Sequence, residues 1–101
     1  MDVRLDGRTA LITGASEGLG LAMARKFAES GANVAMVSRS ADNLEAGRQE
    51  IMSAVGGNKA KVEAFPCDVT DTGQIARMWQ SVTDSFGAVD ILVNNAGQHA
   101  I

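Results

Sequence analysis

The chain has 101 residues, of which 46% are hydrophobic and 21% are charged, and its formal net charge is -3 at pH 7. These values predict one soluble globular domain, or part of one, and exclude the basic surface of a nucleic-acid-binding protein. The N-terminus is too charged for a secretory signal, and the single cysteine, Cys67, cannot form an internal disulfide. No apolar run approaches the ~20 residues of a membrane span. The cytoplasm is therefore the expected compartment.

Short apolar runs alternate with longer amphipathic stretches along the chain. The first run, Thr9 to Thr13, predicts a strand buried on both faces, because its centre is continuously apolar. Gly18 to Ser30 predicts the first helix, which Gly31 ends. Apolar side chains at a spacing of four define one face of this helix: Leu19, Met23 and Phe27. Asn33 to Ser38 predicts the second strand.

A second helix and a third strand follow in the middle of the chain. Ser40 is a suitable N-cap for a helix that runs to about Val55 and ends at Gly56. The predicted inner stripe of this helix is Leu44, Ile51, Met52 and Val55. Lys61 to Phe65 alternates polar and apolar residues, which predicts a strand near the edge of the sheet.

The last predicted elements are a third helix and a fourth strand. Asp71, with Gln74 three positions later, is typical of a capped helix start, and Gly87 ends that helix. The predicted apolar face consists of Ile75, Met78, Trp79, Val82 and Phe86. Asp90 to Asn94 predicts the fourth strand, buried on both faces in a complete sheet.

The element order βαβαβαβ predicts an α/β fold, a doubly wound parallel sheet of the Rossmann type. Crossovers between parallel strands are right-handed. If strands one to three follow one another in one direction across the sheet, the first two helices lie on the same face. If strand four returns beside strand one, the third helix lies on the opposite face. The expected strand order is therefore 3-2-1-4. Ligands bind such sheets at the carboxyl ends of the strands where the order reverses, which is where Thr13–Gly20 and Asn94–Gly97 are expected to meet.

A glycine-rich turn, Thr13 to Gly20, joins the first strand to the first helix. Glycine allows a tight turn and close approach of a ligand, and the N-terminus of the following helix attracts anions. The glycines Gly14, Gly18 and Gly20 do not have the spacing of Gly-x-Gly-x-x-Gly, and no lysine follows them as in a phosphate-binding loop of nucleotide hydrolases. The turn therefore predicts a phosphate or pyrophosphate site of another type.

The spacing Thr-Gly-x3-Gly-x-Gly resembles the cofactor-binding motif of the short-chain dehydrogenase/reductase family. Three further segments match that family in order and spacing: Asp6–Ile12 before and within the first strand, Asp68-Val69 after the third, and Asn94-Asn95-Ala96-Gly97 after the fourth. The resemblance extends over essentially all of the chain. It implies that residues 1–101 form the N-terminal part of a single NAD(P)-binding Rossmann domain, whose C-terminal catalytic half is absent from this sequence.

The resemblance also implies a role for each matching position. The pyrophosphate and the adjacent ribose would be surrounded by Gly14, Ser16, Gly18, Leu19 and Gly20. Asp68 would accept a hydrogen bond from the adenine amino group, and the backbone of Val69 would flank the ring. The stretch between adenosine and nicotinamide would be lined by Asn95, Ala96 and Gly97.

The choice of cofactor depends on the end of the second strand. NAD enzymes usually place an acid there to bind the ribose 2′-hydroxyl, whereas this chain has Ser38-Arg39. A guanidinium pairs well with phosphate and is disfavoured at a helix start, so Ser38 and Arg39 predict NADP(H) through its 2′-phosphate. Glu17, in the loop around the cofactor, supplies no second cation and repels the phosphate slightly. The expected preference is therefore modest, and NAD(H) is the alternative cofactor.

The chain contains no tyrosine, and this decides what it can do alone. The resemblance implies hydride transfer between nicotinamide and a small carbonyl or alcohol, as in 3-oxoacyl reductases, by a homo-oligomeric full-length oxidoreductase. That chemistry uses a catalytic serine and a Tyr-x3-Lys pair, which in the family lie beyond the segment that this chain matches. No catalytic residue is therefore assigned, and the 101-residue chain is expected to be inactive. No metal site is expected. The alternative function is a non-catalytic nucleotide-binding or regulatory module.

Overall fold

The computed structural model describes residues 4–56 and 60–95. Its elements follow the predicted order: β1 (Thr9–Thr13), α1 (Gly18–Glu29), β2 (Asn33–Ser38), α2 (Ala41–Val55), β3 (Val62–Pro66), α3 (Thr72–Phe86) and β4 (Ile91–Val93). Ser40 and Asp71 cap α2 and α3 as predicted, each accepting a bond from a backbone N–H three residues later. Within the described ranges no helix combines the length and apolar character needed to cross a bilayer.

The four strands form one parallel sheet in the order β3-β2-β1-β4, which confirms the predicted topology. β1 pairs with β2 from Thr9 opposite Asn33 and with β4 from Ala10 opposite Ile91. α1 and α2 pack on the face that carries Ile12, while α3 packs on the face that carries Leu11. The order reverses between β1 and β4, so the carboxyl ends of these strands mark the switch point of the sheet.

The buried face of α1 differs from the predicted stripe. Gly20, Ala24 and Ala28 face the sheet, whereas Leu19 is 64% exposed. Met23 and Phe27 are partly buried against the core cluster and, with Leu5, also line an open apolar groove. Small residues on the inner face allow the backbone of α1 to lie close to β1. Of the predicted face, Met23 and Phe27 therefore contact the core in part and Leu19 does not, while the most deeply buried positions are occupied by small residues.

The other predicted apolar stripes are largely confirmed. In α2, Leu44 and Ile51 are completely buried, although Met52 is 37% exposed. In α3, Met78 and Val82 are buried, and the remaining members of the predicted face are partly buried against the same cluster. β4 is the outer strand of the described sheet and is only partly buried, with Leu92 58% exposed, so it lacks the second neighbour that a complete sheet would give it.

Asp90 fastens the start of β4 to the start of β1. Its carboxylate Oδ2 accepts a bond from Thr9 N at 2.8 Å, and its own N–H donates to Thr9 O at 2.9 Å. We expect Asp90→Ala to lower the free energy of unfolding by about 1–2 kcal/mol, because it leaves the Thr9 N–H unpaired. Urea unfolding measures this loss. Asp90→Asn, which keeps an acceptor oxygen, should lose less than half as much, and equal stability of wild type and Asp90→Ala would contradict the assignment.

Candidate functional site

The turn from β1 to α1 leaves the start of the helix without a side-chain cap. Gly14 and Gly18 have φ values of 63° and 59°, in the left-handed region that favours glycine. The N-cap residue Glu17 is extended and makes no capping hydrogen bond, and the first turn of the helix contains no acid. The first N–H groups of α1 therefore point toward the loop with the positive end of the helix dipole, an arrangement suited to an anion.

Gly20 brings α1 into direct contact with the loop. A Cβ at this position would lie 2.7 Å from the carbonyl carbon of Gly14 and 2.8 Å from Nδ2 of Asn95, and it would also collide with the Gly14 oxygen. Real Cβ atoms do not approach other heavy atoms this closely, so only glycine fits. The position forms a cradle in which the helix, the loop and the segment after β4 meet.

The segment after β4 is joined to the glycine-rich turn by the Thr13 side chain. Thr13 Oγ1 accepts a bond from Asn95 N at 2.8 Å and donates to Asn94 Oδ1 at 3.1 Å. Asn95 Nδ2 donates to Gly14 O at 3.3 Å. The structure therefore brings the two predicted segments together at Asn94 and Asn95. Ala96 and Gly97, the other predicted members, lie outside the described residues.

The end of β2 carries two neighbouring polar residues beside the loop. Ser38 Oγ donates to Ser16 Oγ at 3.0 Å, which links the end of β2 to the glycine-rich turn. Ser38 Oγ also accepts a bond from Ser40 N at 3.4 Å. Arg39 is exposed, and its guanidinium forms no hydrogen bond or ion pair with any residue that the structure describes. It therefore presents a positive charge to solvent at this edge of the sheet.

The end of β3 places a carboxylate near that guanidinium. Asp68 Oδ1 accepts two bonds from Thr70, one from the hydroxyl at 2.7 Å and one from the backbone N–H at 2.9 Å. These two bonds lower the pKa of Asp68, and the positive charge of Arg39 lowers it further. Val69 packs partly against the cluster beneath α3.

Cys67, the residue before Asp68, is structural. Its side chain is 2% exposed, and its N–H donates to Ser38 O at 2.8 Å, which joins the ends of β2 and β3. Burial raises the pKa of the Cys67 thiol, and the negative charges of Asp68 and Asp71 raise it further. The thiol is therefore a small buried group rather than a nucleophile.

Several contacts at this edge have no simple signal in the sequence. The Ser16–Ser38 bond joins residues 22 apart, and the bond from Asp68 N to Gln74 Oε1 depends on the placement of α3. The Asp68–Thr70 contact is an Asx turn, which the spacing Asp-x-Thr could have indicated. Among the described residues no group of three or more His, Cys, Asp or Glu side chains is arranged to hold a metal ion.

The arrangement at the carboxyl ends of the strands can bind an extended, partly anionic ligand. It offers free N–H groups at the start of α1, a cation at the end of β2 and an acceptor at the end of β3. The sequence matches the family described as short chain dehydrogenase over residues 8–101. The chain therefore belongs to the short-chain dehydrogenase/reductase family, with the Rossmann-type α/β fold of that family.

Curated relatives and a solved structure agree with this family. The chain is 45% identical over 92 residues to an uncharacterized oxidoreductase of Mycobacterium bovis, covering 91% of this chain and 27% of the relative. It is 41% identical over 96 residues to D-threitol dehydrogenase of Mycolicibacterium smegmatis, covering 95% of this chain and 35% of the relative. The chain thus spans about a third or less of the length of these relatives.

A solved structure resembles the chain closely in fold. L-Sorbose reductase from Gluconobacter frateurii, crystallised with NADPH and L-sorbose, superposes with a TM-score of 0.88 at 37% sequence identity. The alignment covers 99% of this chain and 37% of the reductase. The similarity therefore extends over the whole sheet and the loops at its carboxyl ends.

Proposed function

We propose that this chain is the N-terminal, cofactor-binding part of an NADP(H)-dependent oxidoreductase that interconverts a small carbonyl compound and its alcohol. The catalytic serine, tyrosine and lysine would belong to a C-terminal half outside this sequence. The observation that carries the proposal is the meeting of the uncapped start of α1, Arg39 and Asp68 at one edge of the sheet.

The glycine-rich turn is the proposed pyrophosphate site. The first N–H groups of α1 lack both intrahelical acceptors and a side-chain cap, which an anionic ligand would correct. Gly20 keeps the backbone of α1 against the loop, so no side chain fills the space in front of the helix. The proposed contacts to the pyrophosphate and its ribose are Gly14, Ser16, Gly18, Leu19 and Gly20.

The end of β3 and the segment after β4 are the proposed walls for the remainder of the cofactor. Asp68 has an ionised carboxylate at partial exposure, and it can accept a bond from the adenine amino group while Val69 flanks the ring. Asn95 is held at the switch point by Thr13, so it can line the path from adenosine toward nicotinamide. Ala96 and Gly97 are proposed to continue this wall.

The 2′-phosphate is proposed to lie on Ser38 and Arg39. The exposed guanidinium has no partner among the described residues, and a planar cation that retains its charge suits a phosphate monoester. Glu17 is exposed in the same loop and adds a negative charge, which keeps the proposed preference over NAD(H) modest. The NADPH held by the sorbose reductase supports the same choice.

The chemical role of this chain is to bind and orient. When bound, the nicotinamide cofactor supplies or accepts the hydride. The described residues would hold its phosphates and its adenosine, and Asn95 would line the path from adenosine toward nicotinamide. The proton of the substrate hydroxyl has no tyrosine to exchange with in this sequence. We further propose a cytoplasmic location and a homo-oligomeric full-length enzyme.

Calorimetric titration of the purified protein with NADPH and, separately, with NADH tests the binding proposal. We expect NADPH to bind about tenfold more tightly, since a charge-assisted contact contributes about 1.5 kcal/mol or more. Binding of neither nucleotide would refute the proposed site, and tighter binding of NADH would refute the cofactor preference. Sequencing the gene beyond Ile101 tests the domain proposal, which requires a serine followed by Tyr-x3-Lys.

A further inference from the structure

Asp68 is held at three of its four polar atoms. Its N–H donates to Gln74 Oε1 at 2.9 Å, and its backbone oxygen accepts a bond from Asp71 N at 3.0 Å. Its Oδ1 accepts both bonds from Thr70, at 2.7 and 2.9 Å. Oδ2 alone makes no hydrogen bond within residues 4–56 and 60–95. One carboxylate oxygen is therefore committed to the fold, while the other is available to a ligand.

Arg39 lies near Asp68 but is not paired with it. Its charge lies close enough to influence Asp68, yet no ion pair forms between the two within the described part of the chain. A carboxylate free to rotate on this exposed edge could turn toward the guanidinium, and each group would then satisfy the other instead of a ligand. The two Thr70 bonds fix the plane of the carboxylate and so keep the acceptor and the cation available separately.

We propose that Thr70 is a positioning residue that, together with Gln74, orients Asp68 so that Oδ2 accepts a hydrogen bond from the amino group of the adenine ring. The inference rests on the proposed function and refines it, because it assigns the orientation of Asp68 to two residues outside the matched family segments. Gln74 anchors the backbone of Asp68 to the first turn of α3, and its Nε2 in turn donates to Asp71 Oδ2 at 3.4 Å. Thr70 then sets the direction of the side chain.

The test compares NADP with its hypoxanthine analogue, in which a carbonyl oxygen replaces the adenine amino group. A carboxylate acceptor discriminates between them, because the analogue offers no donor at that position. We expect wild type to bind NADP about tenfold more tightly than the analogue, as a hydrogen bond to a charged group allows. Thr70→Val keeps the side-chain volume and removes the hydroxyl, and it should reduce this ratio about threefold or more.

Three measurements separate positioning from general damage. Affinity for the hypoxanthine analogue should not change in Thr70→Val, and Thr70→Ser should restore the wild-type ratio. Thr83→Val is the matched control, because among the described residues the Thr83 hydroxyl bonds to carbonyls within α3 alone, at Trp79 and Gln80. If Thr70→Val does not fold, the same ratio is measured in Gln74→Met, which removes the acceptor for Asp68 N–H and should also reduce it.

The outcomes distinguish this inference from the proposal on which it rests. A wild type that binds neither dinucleotide overturns the proposed function, and the inference with it. A wild type that prefers NADP, together with an unchanged ratio in Thr70→Val, overturns the inference and leaves the proposed function standing. An equal loss of affinity for both dinucleotides in Thr70→Val also overturns it, since that pattern indicates a structural role only.

Discussion

Gly20→Ala should lower the free energy of unfolding by about 3 kcal/mol and reduce dinucleotide affinity at least about tenfold. The added Cβ would lie within 2.8 Å of Asn95 Nδ2 and closer still to the carbonyl group of Gly14. Because both neighbours belong to the proposed site, α1 can accommodate the methyl group only by moving away from the loop that it supports. Chemical denaturation measures the first effect, and calorimetric titration with NADPH measures the second.

Gly73→Ala is the matched control for this substitution. Gly73 also lies in the first turn of a helix, but there a Cβ would lie 3.3 Å from the Asp71 carboxylate oxygen that caps α3, so this side chain has to shift only slightly. We expect no loss of stability and a gain of up to about 1 kcal/mol, since alanine favours the helix over glycine. Wild-type stability and affinity in Gly20→Ala would show that α1 does not depend on this close approach.

Arg39→Asp should weaken NADPH binding about 100-fold and leave NADH binding equal or stronger, because it replaces attraction for the 2′-phosphate by repulsion. The side chain has no partner among the described residues, so its loss breaks no contact of the fold that the structure records. Parallel titrations with the two cofactors give the ratio of dissociation constants. The preference should reverse in favour of NADH.

Arg8→Asp controls for the change in net charge. Arg8 directly precedes β1 at the opposite ends of the strands, is exposed, and within residues 4–56 and 60–95 makes hydrogen bonds only through its backbone, to Leu5 and Asn33. It should leave the ratio of the two dissociation constants within about twofold of wild type, since exposed charges this far apart are largely screened. Equal NADPH affinity before and after Arg39→Asp would remove Arg39 from the proposed cofactor site.

The topology could be predicted because it depends on few, strong signals. Apolar runs of strand length, amphipathic stretches of helix length and the right-handed rule for crossovers leave the order 3-2-1-4 as a direct expectation. The N-caps of α2 and α3 could also be predicted from the sequence, because Ser40 and Asp71 accept bonds from N–H groups only three residues later. The predicted meeting of the Thr13 and Asn94 segments follows from the same topology and is confirmed.

The side-chain contacts that hold the edge together could not be predicted in the same way. Thr9 with Asp90, and Thr13 with Asn94, are pairs separated by 81 residues, and their bonds depend on the register of β4 against β1. The most deeply buried positions of α1 could not be found from large apolar side chains, because Gly20, Ala24 and Ala28 occupy them. Full burial of β4 was expected only for a complete sheet, and the described residues include no strand on its outer edge.

The Thr13 contact has a consequence for folding. β1, β2 and β3 pair with their neighbours in chain order, whereas β4 pairs with β1, and the contacts that it forms there join residues 80 or more apart in sequence. Long-range pairing of this kind is slow and follows local assembly. We therefore expect the contacts of Asn94 and Asn95 with Thr13 to form late, and a ligand that bridges them to the glycine-rich turn to stabilise the sheet with β4 in place selectively over one without it.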